Sequence, residues 1–183
     1  MGGIFFLHTM PLLFERTTIA LGNSHALLHG EHFQSAYLTN DIDRACQLFA
    51  EQLGVASFQR LEGEIPSGGH IRVELAWVGS VMYELMQTTD SVERVYASQP
   101  QPDDQFTLVH HHLGYVASDR QQWDQILASA QTNGFEIAYR NRTEGFLEVC
   151  FIYVPWLPHS LEYFLLEPAG QSFLQDVPKN PLV

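Results

Sequence analysis

The chain is predicted to be an α+β protein of two βαβββ modules whose strands join in one cupped, mixed sheet with helices outside. Three observations carry this. Apolar and polar residues follow a strand, helix, strand, strand, strand order, and that order then repeats. Residues 34–41 lie over residues 112–119 at a constant offset of 78. The same offset carries Glu84 onto Glu162, so Gln34 to Glu84 and His112 to Glu162 are both 50 residues apart.

Residues 1–30 form a weakly patterned apolar leader. A first module spans 31–90: an extended run from Phe33 to Thr39, an N-cap at Asn40-Asp41, and a helix from Ile42 to about Leu53 that stops at Gly54. Strands over Ala56–Leu61, Ile71–Val78 and Val81–Gln87 complete it, the last two around Gly79-Ser80. Residues 91–107, with Pro100 and Pro102, read as a linker. A second module over 108–170 runs from the extended Leu108–Ala117 through a helix capped by Ser118-Asp119 and ended by Asn133-Gly134. Strands over Glu136–Arg140, Leu147–Val154 and Leu161–Leu166 follow, and residues 171–183 remain as a tail.

Composition narrows the partners. The 183 residues carry 21 acidic against nine basic side chains, a formal charge of −12, which opposes nucleic acid and anionic membrane surfaces. The two cysteines, Cys46 and Cys150, are too few for a disulfide framework. The leader lacks a basic n-region and an unbroken apolar run, and nothing reaches the length of a membrane span, so the expected location is cytoplasmic.

Glu84 and Glu162 sit in strands apolar on both faces, Val81–Met86 and Leu161–Leu166. A carboxylate buried there needs a cation, a proton or a partner. Gln34 and His112, which open the first strand of each module, add a carbonyl oxygen and an imidazole. Two carboxylates balance a divalent ion, and a set of oxygens with one nitrogen and no thiolate suits Ni, Co, Mn, Mg or Zn. The metal ligands read from the repeat are therefore Gln34, Glu84, His112 and Glu162 around a metal cavity, with two octahedral positions left for a chelating substrate. A frame shifted by two would use His32 and His110 instead, since His110 and His112 share a face on a regular strand. Asp41 and Asp119, seven residues beyond Gln34 and His112, favour the unshifted frame, and in either frame His111 faces away.

The repeat, the strand-Asp-helix openings and the placement of Gln34, Glu84, His112 and Glu162 resemble the vicinal oxygen chelate superfamily over about residues 31–170. That superfamily includes glyoxalase I, methylmalonyl-CoA epimerase, extradiol dioxygenases and bleomycin-resistance proteins. The Gln, Glu, His, Glu set is similar to that of glyoxalase I, and the doubled His111-His112 resembles the epimerase. The resemblance implies a metal-dependent lyase or isomerase that stabilises an enediolate or enolate of a small carbonyl substrate, and it implies a homodimer. By that analogy Glu162 is the first candidate base, with Glu84 or Glu74 returning the proton. The alternatives are a dioxygenase of the same fold using Fe or Mn, and a non-catalytic module that sequesters a ligand.

Other residues read more plainly. Arg140 and Arg142 form the one close basic pair and suit a solvated strand end or a bound anion, while the scarcity of cations disfavours an acyl-CoA. Trp77, Phe151, Tyr153 and Trp156 are expected to pack the core, and His159 to lie in an exposed loop.

Overall fold

The computed structural model describes residues 26–28, 30–66, 68–91, 94–96 and 105–181. Most of the leader and most of the proline-containing linker lie outside them. The element order is β1 (Glu31–Thr39), α1 (Ile42–Leu53), β2 (Gln59–Glu64), β3 (His70–Val78) and β4 (Val81–Thr89). A short 3-10 turn (Arg94–Tyr96) then leads to β5 (Leu108–Val116), α2 (Arg120–Thr132), β6 (Glu136–Thr143), β7 (Leu147–Tyr153), β8 (Ser160–Leu166), α3 (Pro168–Asp176) and β9 (Lys179–Asn180). One sheet runs β2-β3-β4-β1-β5-β8-β7-β6, and β9 adds to β3. It is the α+β fold the repeat predicts, with the sheet strongly curled into a half-barrel.

Both helices start where the sequence places them, because Asp41 and Asp119 accept the backbone N–H of Arg44 and Gln122. Each then buries one apolar stripe on the outer face of the sheet. Ala45 and Phe49 of α1 pack with Ala76 and Leu85; Trp123 and Ile126 of α2 pack with Cys150, Ile152 and Tyr163. Burying a side chain such as Ile126 stabilises the fold by about 2 kcal/mol. Cys46 and Cys150 are both free.

The inner face has its own cover. Phe33, Val73, Leu75 and Met82 meet Phe164, Phe173, Leu174 and Val177, so α3 lies across the concave side. Asn180 of β9 holds that end down: its Oδ1 accepts the N–H groups of Ala56 and Ser57, and its Nδ2 donates to the Ser57 carbonyl. These bonds occupy the backbone of Ala56 and Ser57, and β2 begins at Gln59 rather than at Ala56. Tyr153 and Trp156 are exposed instead of in the core, and Trp156 stands edge-on to Phe135.

The modules meet through antiparallel β1 and β5, and the pairing obeys the offset of the repeat. Ser35 faces Leu113, the residue 78 further on, which puts the approximate twofold axis at that pair. Gln34↔Gly114 and His32↔Tyr115 on one side of it match His112↔Ala36 and His110↔Tyr37 on the other. Each strand carries a β-bulge at the equivalent place, Phe33 in β1 and His111 in β5.

Candidate metal centre

Two cross-strand rows build the site. In one, Gly114 is flanked by Gln34 of β1 and Glu162 of β8; in the other, Ala36 is flanked by Glu84 of β4 and His112 of β5. A small residue at the middle of each row lets long side chains from either side lean together. At Gly114 this is a steric necessity, since a Cβ there would collide with Oε1 and Cβ of Gln34.

The four side chains meet over the concave face. Gln34 Nε2 donates to Glu84 Oε2 at 2.7 Å. His112 Nε2 lies 3.2 Å from Glu84 Oε2 and 2.7 Å from Glu162 Oε2, and ligand atoms of Glu84, His112 and Glu162 all fall within 4.8 Å of one another. Despite those short distances, His112 Nε2 and Glu162 Oε2 lack hydrogen-bond alignment. Among the described residues four buried side-chain polar atoms have no hydrogen-bond partner; three are Gln34 Oε1, His112 Nε2 and Glu162 Oε2, and the fourth, Trp123 Nε1, lies in the outer core. Three unpartnered lone-pair atoms beside a second carboxylate are a donor set a divalent cation satisfies.

The electrostatics agree. Burial alone would discharge the imidazole of His112, yet the facing carboxylates of Glu162 and then Glu84 outweigh it and push its pKa up to about 10. Burial raises the pKa of Glu162, and the His112 charge pulls it partly back. The carboxylates thus favour positive charge at this point of the site.

The bulges settle the two-residue ambiguity of the histidine frame. Each extra residue reverses the alternation, so His110 does not share a face with His112. His32 and His110 sit instead at equivalent outer positions, 5.2 Å from Tyr115 and 5.5 Å from Tyr37. His110 also meets His159 at 4.8 Å. His111, expected to face away, is on the inner side: its Nδ1 lies 2.8 Å from His112 Nδ1, its Nε2 2.6 Å from the Val95 carbonyl oxygen, and its ring 5.9 Å from Phe151. Burial lowers the pKa of His111 to about 4, which keeps it neutral. The doubled histidine was the available signal; the bulge that gives it meaning is not written in either strand alone.

Glu74 is not brought to this cluster. Its neighbour Leu75 faces Glu84, so Glu74 points to the outer side, where Arg60 Nε at 2.7 Å and Arg72 Nη2 at 2.8 Å neutralise it. Arg140 and Arg142 are likewise on the outer side, around Glu148.

Under α3, Gln34, Glu84 and Glu162 open into a chamber of about 120 Å³ that is also lined by Leu75, Phe164, Phe173 and Leu174. No lysine or arginine is among the described residues that line it. No helix among the described residues is long and apolar enough to cross a membrane.

No family model matches the chain, and no curated protein matches it in sequence. Solved structures do match. A variant of Streptomyces coelicolor methylmalonyl-CoA epimerase in complex with 2-nitronate-propionyl-CoA is 12% identical at a TM-score of 0.51, covering 75% of this chain and 97% of that one. A methylmalonyl-CoA epimerase in complex with methylmalonyl-CoA and NH4+ is 13% identical at a TM-score of 0.51, covering 76% and 96%. The paired βαβββ modules, the curled sheet and these structural neighbours agree: the chain has the fold of the vicinal oxygen chelate superfamily.

Proposed function

We propose that Gln34 Oε1, Glu84, His112 Nε2 and Glu162 hold a divalent metal ion, and that the protein is a metal-dependent isomerase or lyase acting on a small carbonyl compound. The observation that carries the reading is the meeting of three buried atoms without hydrogen-bond partners, Gln34 Oε1, His112 Nε2 and Glu162 Oε2, beside the carboxyl group of Glu84. A bound ion would supply Lewis acidity, stabilising by several kcal/mol the negative charge that grows on a carbonyl oxygen as its α-proton leaves, in an enolate or enediolate.

The chain's own residues supply the rest. Glu162 is the base: burial raises its proton affinity towards the working range of a general base. Glu84 returns the proton, its carboxylate held by the amide of Gln34. The apolar wall of Phe164, Phe173 and Leu174 excludes water from the reacting carbon. One imidazole and two carboxylates, from His112, Glu84 and Glu162, support this reading over a dioxygenase, whose iron site takes two histidines and one carboxylate. The small chamber, with no lysine or arginine among the described residues that line it, supports a compact substrate rather than the CoA thioesters held by the structural neighbours.

Metal analysis of the purified protein beside Glu84→Gln and Glu162→Gln tests the centre. Each substitution is expected to weaken binding by on the order of 3 kcal/mol, roughly a hundredfold. Equal metal content in all three proteins would refute the ligand assignment. For the chemistry, deuterium should enter the α-carbon of a turned-over substrate in D₂O, and Glu162→Gln should abolish the exchange.

A further inference from the structure

We propose that His111 is a positioning residue that, with the main-chain carbonyl of Val95, fixes the tautomer of His112 so that the Nε2 lone pair faces the carboxylates. The proposal rests on the metal reading above and extends it to a residue outside the ligand set.

A carbonyl oxygen only accepts, so the 2.6 Å contact between His111 Nε2 and the Val95 oxygen places a proton on that nitrogen. The neutral ring then presents a lone pair at Nδ1. At 2.8 Å from it, His112 Nδ1 must be the donor. A neutral His112 with its proton on Nδ1 has only a lone pair left on Nε2, the atom that approaches Glu84 and Glu162. A lone pair against two carboxylates is repulsive by itself; a cation among them turns the same geometry into coordination.

Two further features show that the contact is built. Neighbouring residues on a regular strand point to opposite faces, and only the bulge at His111 lets its ring reach that of His112. The turn at Arg94–Tyr96 delivers the Val95 carbonyl and lays Tyr96 parallel to His111, with ring centroids 6.2 Å apart. The first module has the same bulge but fills it with Phe33, and the chemistry of the ligands accounts for the difference. An imidazole can present either nitrogen as donor or acceptor and needs a selector. The oxygen of an amide only accepts and its nitrogen only donates, and the bond from Gln34 Nε2 to Glu84 fixes which of them faces the site.

The test is a Co(II) titration of metal-free protein against a chromophoric chelator, for the wild type, His111→Phe and His111→Asn. Phe keeps a ring between Tyr96 and Phe151 but offers no acceptor; it is expected to weaken binding about 10- to 100-fold. Asn returns an acceptor oxygen near the Nδ1 position and is expected to stay within about fivefold of the wild type. Independently of any variant, ¹⁵N NMR of the Zn(II)-loaded wild type should show His112 protonated at Nδ1 and bound through Nε2. Binding by His111→Phe within about threefold of the wild type, equal losses in both variants, or His112 bound through Nδ1 would each overturn the assignment of His111 while leaving the metal centre standing. A wild type that takes up neither Co(II) nor Zn(II) would overturn both.

Discussion

In the first module the residue before Gln34 is Phe33, packed 5.5 Å from Phe164; in the second the residue before His112 is His111, whose ring meets that of its neighbour. On the outer face, three residues before the one that faces each module's glutamate, the first module has Arg72 and the second Glu148. Arg72 is flanked by Asp43 and Glu74 at 2.8 Å each, while Glu148 is ringed by Arg120, Arg140 and Arg142. The skeleton of bulge, row and hub is shared; the occupants are exchanged for others of opposite charge or different chemistry. Backbone pairing therefore sets where an interaction occurs in this fold, and the local side chains decide its sign and use.

The rows of the candidate metal centre offer the largest test of that comparison. Gly114 and Ala36 are equivalent, but a Cβ on Gly114 would stand where the Gln34 side chain lies. Gly114→Ala is expected to destabilise the protein by about 1–3 kcal/mol through overpacking and to displace the Gln34 amide, weakening Co(II) binding. Ala36→Gly creates no collision and should cost about 1 kcal/mol from added chain entropy while leaving metal affinity intact. Thermal melts and Co(II) titrations of the two variants check this. Equal effects would show that crowding at the row centre does not distinguish the modules.

How much of this was legible in sequence depends on what repeats. The offset that pairs Gln34 with His112 and Glu84 with Glu162 reflects side chains on single strands, and in the structure these four side chains meet. Glu74 misleads because a buried strand glutamate looks the same on either face; only its arginine neighbours on β2 and β3 reveal the outer side. The two bulges are relations between strands, so alternation along one strand sends His111 to the wrong face and aligns His110 with His112. The cover formed by α3 and the bonds of Asn180 have no counterpart in the first module, and repetition could not disclose them.

The inverted hubs come next in size. Glu148 is covered mainly by half-exposed arginines and not by the core, so solvent screens each pair and the full cost of breaking a buried ion pair does not apply. Glu148→Gln leaves three guanidinium groups facing one another and is expected to cost about 1–2 kcal/mol in chemical denaturation. The hydrogen bond from Arg120, working against burial, holds the Glu148 carboxyl below its ordinary value of 4.5. A depressed folded pKa means its contribution is full above about pH 4.5 and is lost as the pH falls through the lower folded value. The Glu148→Gln variant should lack that part of the acid slope, and an unchanged slope would show that the hub is not what titrates.

The smallest effect belongs to the matching contact of the first module. Asp43 meets Arg72 at 2.8 Å from a fully solvated position on α1, and the hydrogen bond from Arg72 lowers its pKa. Arg72 keeps a second, buried acceptor in Glu74, which is itself shared with Arg60. Removing the solvated partner therefore leaves Arg72 paired, whereas removing the central carboxylate in the second module takes away the acceptor that three arginines share. Asp43→Asn should leave the melting temperature unchanged within measurement error, in low salt as well as high. A drop comparable to that of Glu148→Gln would mean that the central charge and its satellites weigh equally, and the equivalence of the two hubs would then extend from position to energy.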